Sequence, residues 1–180
     1  DETYIKVLGK HQYVFFFISS QNLKITAYHV ADNRGTQPAI IAMNEALRTA
    51  TPEQKITLVT DGNPSYPAGI HFLNAQKGDI PPIQHQKVIG LQNLDAESEE
   101  WRPFKQLIER LNRTYKYHVR PAAGFNSNNG AVALTTLFVT HYNFLRPHMS
   151  LLYKTPIHLP ELATISTIQG KWAKIISLAA

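Results

Sequence analysis

Tyr13-Val14-Phe15-Phe16-Phe17-Ile18 is an unbroken apolar run rich in aromatic and β-branched residues. A run of that length fits a strand covered on both faces rather than one with a wet side. Outward from it, Gly9-Lys10-His11-Gln12 and Ser19-Ser20-Gln21-Asn22 read as turns. Thr3 to Leu8 reads as the strand before, and Leu23 to Val30, with alternation at Ile25, Ala27 and His29, as the strand after. Three strands joined by short turns make an antiparallel meander.

Beyond the meander the period changes. Thr36 is a plausible N-cap, Pro38 suits an early helical position, and Ile40, Met43, Ala46 and Leu47 recur at helical spacing up to Thr51-Pro52. Ile56 to Thr60 is a short apolar strand closed by Asp61-Gly62-Asn63-Pro64. A strand reached through a helix can lie parallel beside an earlier one by a right-handed crossover. Ser65 to Asn74 reads as a short helix, 75 to 86 as a loop and Lys87 to Leu91 as a last strand. Pro103 disfavours a helical Arg102, so the next helix is expected to start at Pro103 and to end before Pro121. A long apolar helix follows from Ala131 to Leu145, and the tail from 163 to 180 reads as weakly amphipathic helix. The order predicts an α/β layered domain: a mixed sheet, three antiparallel strands then parallel strands, flanked by helices.

A chain of 180 residues favours one domain with a core of its own. Apolar residues at 43% and charged residues at 17% place it with globular rather than disordered chains. The absence of cysteine excludes a disulfide framework and a cysteine-ligated zinc site. The eight histidines form no zinc pattern, and His141 falls inside an apolar helix as a core or boundary residue. No apolar run is long enough to span a bilayer and no signal-peptide pattern is present. Lys and Arg number 18 against 13 acids, and the net charge of +5 suits a polyanionic partner.

Three carboxylates stand out. Asp61 lies at the carboxyl end of an apolar strand, where ligand groups of open α/β sheets gather, although Asp-Gly-Asn-Pro is also ordinary turn chemistry. Glu109 lies in a polar row of Lys105, Asn112, Arg113 and Lys116, beside the core stripe Phe104, Ile108, Leu111 and Tyr115. It can reach a cleft from there, or pair with Lys105 and Arg113 as an ordinary surface ion pair. Asp1 opens the first strand, a position that by itself suits a frayed terminus.

Taken together, Asp1-Glu2-Thr3-Tyr4-Ile5-Lys6-Val7, Thr60-Asp61-Gly62, Glu109 to Lys116, and Tyr142-Asn143-Phe144-Leu145-Arg146-Pro147-His148 followed by Thr155-Pro156 occur in order. This set resembles the catalytic domain of bacterial insertion-sequence DDE transposases, the integrase-like core related to retroviral integrases, from residue 1 to about 162. The resemblance implies a ribonuclease-H-like fold, with Asp1, Asp61 and Glu109 matching the Asp, Asp, Glu triad. It also implies two divalent ions, Mg²⁺ with Mn²⁺ as substitute, and DNA cleavage followed by strand transfer. Partners would be transposon ends and target DNA, bound by a homo-oligomer in the bacterial cytoplasm at the nucleoid. Family members carry a stretch before the first Asp and, before that, a DNA-end-binding domain, neither of which is in this sequence. The 47 residues between Asp61 and Glu109 exceed the mid-thirties common in the family, which leaves Glu97, Glu99 and Glu100 as competitors for the third carboxylate.

Magnesium prefers oxygen ligands, and three carboxylates can hold two ions ~3.5–4 Å apart. Arg113, Lys116 and Arg120 after Glu109, with Arg146 and His148 after the long helix, fit a track for DNA phosphates. They equally fit solvated helix ends. Asn63 can line the cleft or simply build the turn. Two other readings stay open: a structure-selective nuclease on the same fold, and an inactive remnant that only binds DNA.

Overall fold

The structure, a computed structural model, describes residues 1–48, 50–51, 53–76, 78, 81–90 and 95–180. The meander is β1 (Glu2–Val7), β2 (Lys10–Ile18) and β3 (Ile25–Ala31), paired antiparallel in that order. The first turn is tighter than expected. Only Leu8 and Gly9 lie outside the ladder, both at positive φ, and pairing runs up to Val7 opposite Lys10. A two-residue turn of this hand matches the twist of its strands, so β2 gains the residues that read as turn.

The apolar run of β2 divides between two cores. Val14 and Phe16 pack with Ile5, Val7, Ile108, Leu111, Tyr115 and Phe138 on one face. Phe15 and Phe17 pack with Ala39, Ala42, Met43, Tyr66, Ile70 and Leu73 on the other. The first face is covered by α3 (Ala96–Val119) and α4 (Asn128–Thr140), the second by α1 (Thr36–Leu47) and α2 (Ser65–Ala75). A last helix, α5 (Ile168–Ala179), contributes no buried residue.

A second, parallel pair joins β4 (Thr57–Thr60) to β5 (Gln84–Lys87). The strand expected over 87–91 therefore lies earlier, and part of that range falls outside the described residues. Gln84-His85-Gln86-Lys87 shows no apolar pattern because only its flanks, Ile83 and Val88, are buried. Among the described residues no ladder joins β4 to the meander. Asp61, just past the end of β4, brings its carboxylate to within 4.8 Å of that of Asp1 at the start of β1. A groove of about 460 Å³ runs between the end of β2 and β4, lined by Asp1, Ile18, Leu58, Val59, Trp101 and Ile108 among others.

Pro103 lies inside α3 and does not begin it. The helix starts at Ala96 because Asp95 caps it, accepting from Ser98 N at 2.7 Å, with Glu97 and Glu99 favourably placed in the first turn. Two turns into the helix, Pro103 forfeits the backbone bond to the Glu99 carbonyl and its ring crowds that carbonyl, a loss the Asp95 cap offsets in part. At the other end of the fold, α4 runs on into a π-helical turn, His141–Leu145. That turn aims buried Asn143 at β3: its Oδ1 accepts from Ile25 N (2.9 Å) and its Nδ2 donates to Ile25 O (3.0 Å). The side chain thus extends the ladder past β3 where, among the described residues, no strand pairs. Asn143→Leu should cost about 1–3 kcal/mol for each stranded backbone group, read as a lower urea midpoint; an unchanged midpoint would mean that water reaches both groups.

Burial lowers the pKa of His29, His85, His141 and His148 from the ordinary histidine value. Lys87 adds to the effect at His85, and His118 and Arg146 add to it at His141. The folded chain thus binds fewer protons than the unfolded chain just below pH 6.5, the unperturbed histidine value, so stability is full above that value and falls as these groups are forced to charge. Through these histidines, denaturation midpoints should decline steadily from about pH 7 towards pH 5.5; a flat profile through that window would contradict this assignment.

Candidate active site

Pairing decides where the first two acids point. Asp1 stands opposite Phe16, whose N–H donates to the Asp1 carbonyl at 3.0 Å, and so shares the face covered by α3. Glu2 stands opposite Phe15 and shares the face covered by α2. Asp61 sits in the turn between β4 and α2, its Oδ1 accepting from Asn63 N at 3.0 Å. Asp1, Glu2 and Asp61 each offer a carboxylate oxygen, and the three oxygens lie within 4.8 Å of one another. All three residues are half-buried. An all-oxygen anionic set is what a hard divalent cation takes, so these residues fit the implied metal.

Glu2 is the member that sequence reasoning missed. Its side chain is 6% exposed and both oxygens are engaged. Oε2 accepts from the Tyr66 hydroxyl at 2.7 Å, Oε1 from Asn63 Nδ2 at 2.9 Å, and Arg34 stands 3.9 Å away. Burial, reinforced by the Glu2 carboxylate, pushes the Tyr66 phenol far above its ordinary range, which keeps it a donor. Glu2 thereby ties β1 to the first turn of α2 and to the loop that carries Asp61. Alternation gives only half of this: with Thr3, Ile5 and Val7 buried, Glu2 lies on the opposite face, where Tyr4 and Lys6 are exposed.

Glu109 is not brought into the three-carboxylate cluster. Its side chain is 34% exposed and meets the site through Lys105, whose Nζ lies 3.9 Å from Glu109 Oε1 and donates to Asp1 Oδ2 at 2.8 Å. Lys105 reads from the sequence as a surface residue, yet it is buried, 6% exposed. It lies one turn before Ile108 on the row that continues through Tyr115, and Asp1 gives its charge a partner there. Glu97, Glu99 and Glu100 are exposed at the head of α3, and Glu99 pairs with Arg102 at 2.7 Å. The α-amino group of Asp1 is drawn down to about 6, chiefly by burial.

The basic residues fall in two places. Lys116 lies with its ammonium 4.1 Å over the Tyr4 ring, and together with Lys6 and Arg120 it lines a shallow groove floored by Ile5 and Phe125. Arg113 is exposed on the same helix. Arg146 stands 5.8 Å from the Tyr142 ring centre and His148 packs against that ring at 4.5 Å. Asn63 is taken up within the site, by Glu2 and the Arg34 carbonyl.

No curated protein matches this chain. Among solved structures, a chain of the simian T-cell lymphotropic virus intasome in complex with PP2A regulatory subunit B56 gamma superposes with a TM-score of 0.58 at 16% identity. The match covers 93% of this chain and 55% of that one, so this chain spans about half the length of its structural neighbour. At that identity the likeness speaks to the fold, a ribonuclease-H-like layering with an integrase-like core. Residues 1–129 match the DDE domain of IS240-type transposases, and the chain belongs to that family of insertion-sequence transposases.

Proposed function

We propose that this chain is the catalytic core that cuts a DNA strand and joins the freed end to a second strand, with divalent metal held by Asp1, Asp61 and Glu109. The observation that carries this reading is the convergence of Asp1, Glu2 and Asp61 from the ends of two separate strands. Magnesium is the expected ion, two per site, and when bound it supplies Lewis-acid stabilisation of the attacking and leaving oxygens of an in-line displacement at phosphorus. Asp1 and Asp61 provide the oxygens from the strand ends, and Glu109 approaches from α3 across Lys105. Glu2 serves as a support, since its own oxygens are occupied by Tyr66 and Asn63. Lys116 and Arg113 on α3 and Arg120 just past its end, with Arg146 and His148 beyond α4, meet backbone phosphates and position DNA without reading its sequence. The enzyme works as a homo-oligomer on paired transposon ends, on nucleoid DNA of the bacterial cytoplasm.

The test is a labelled duplex offered with Mg²⁺, Mn²⁺ or EDTA. Nicks and strand-transfer products that appear with either metal and vanish in EDTA are expected. Metal-dependent nicks without joined products would reassign the chain as a nuclease. DNA binding indifferent to EDTA, with no cleavage under any condition, would leave it a binding module.

A further inference from the structure

We propose that Lys105 is the resident cation of the carboxylate site: its ammonium fills the place between Asp1 and Glu109 and thereby weakens divalent-metal binding there. This rests on the metal reading above. A buried lysine is uncommon unless paired, and the pairing here is confined to the site. Nζ donates to Asp1 Oδ2 at 2.8 Å and lies 3.9 Å from Glu109 Oε1. Asp1 Oδ1 is turned the other way and accepts from Glu2 N at 2.9 Å. The oxygen of Asp1 that faces α3 is therefore the one already held by a cation.

Charge explains why the lysine is there. Asp1, Glu2 and Asp61 bring three carboxylates within 4.8 Å, and Glu109 adds a fourth on the rim. Arg34 stands 3.9 Å from Glu2, and Lys105 answers for the α3 side of the group. A divalent ion that bridges Asp1 and Glu109 would have to stand where Nζ stands. One held by Asp1 and Asp61 alone would still feel a positive charge across a single carboxylate, at a separation where charges in a half-buried site interact strongly. The lysine thus stabilises the metal-free fold and opposes the metal-loaded one. Drawing Nζ away from Asp1, towards a DNA phosphate, would free both carboxylates together.

The experiment is calorimetric titration with Mn²⁺ of the wild-type chain, Lys105→Met, Lys105→Arg and Asp61→Asn, with thermal unfolding in EDTA and in Mn²⁺. Lys105→Met should bind Mn²⁺ at least about tenfold more tightly than wild type and gain more melting temperature from it. Lys105→Arg, which keeps the charge, should stay within about threefold of wild type by the same reasoning. If Lys105→Met is unfolded in EDTA, Mn²⁺ should restore it; failure to refold at saturating Mn²⁺ would overturn the proposal. Equal or weaker binding by Lys105→Met, with wild-type binding still dependent on Asp61, would overturn it and leave the metal reading standing. Absence of Asp61-dependent binding in every variant would remove both.

Discussion

Asp61→Asn should lower metal-dependent strand cleavage by at least about a thousand-fold while leaving the fold in place. The substitution keeps the shape of the side chain. An amide oxygen can still accept from Asn63 N, the bond that sets the turn into α2. What is lost is a negative charge within 4.8 Å of Asp1 and Glu2. If that charge holds a divalent ion, several kcal/mol of transition-state stabilisation goes with it, and each ~1.4 kcal/mol is a factor of ten in rate. In EDTA the same change relieves repulsion among like charges, so the melting temperature should hold or rise slightly. Single-turnover nicking in Mg²⁺, beside melting curves in EDTA, separates the two effects. Cleavage within tenfold of wild type would reduce Asp61 to a turn residue. A large loss of both activity and stability would point to structural damage instead.

Legibility followed physical pattern. The run from Tyr13 to Ile18 announced a strand buried on both sides, and its residues do alternate between two cores. Asp61 was visible because a short apolar strand delivers it to a turn. β5 was not visible because its four residues are polar and only its neighbours Ile83 and Val88 are buried. The start of α3 was misplaced because the rule at Pro103 outweighed a stronger local signal, the Asp95 cap with acids in the first turn. Lys105 and Glu2 were hidden for a different reason. Charge alone assigns both to the surface, and each is buried through a partner distant in sequence: Asp1 for Lys105, Tyr66 for Glu2. Periodicity places Lys105 in a polar row and Glu2 on the face of exposed Tyr4 and Lys6; only the opposing element shows that a partner waits there.

Phe16→Ala should cost about 3–5 kcal/mol, a large part of the ~5–15 kcal/mol that keeps a domain folded. Phe16 is fully buried and stands edge-on to Tyr115 at 5.0 Å and to Phe138 at 6.2 Å, with Tyr115 and Phe138 themselves 5.1 Å apart. These rings join β2, α3 and α4. Tyr115 cannot swing freely into the void, because its hydroxyl is hydrogen-bonded to Thr135 at 2.7 Å in a buried site. Little relaxation means a large cavity term. The loss also bears on the site: α3 carries Lys105 and Glu109 and is seated on this face through Ile108, Leu111 and Tyr115. Even below its melting temperature, the Ala variant should show weaker metal-dependent cleavage than its folded fraction accounts for, whereas Phe16→Leu should lose far less of both. Urea denaturation gives the stability and nicking at low temperature gives the activity. A loss under 1 kcal/mol would mean the rings close over the gap. Full activity per folded molecule would mean that α3 is seated by other contacts.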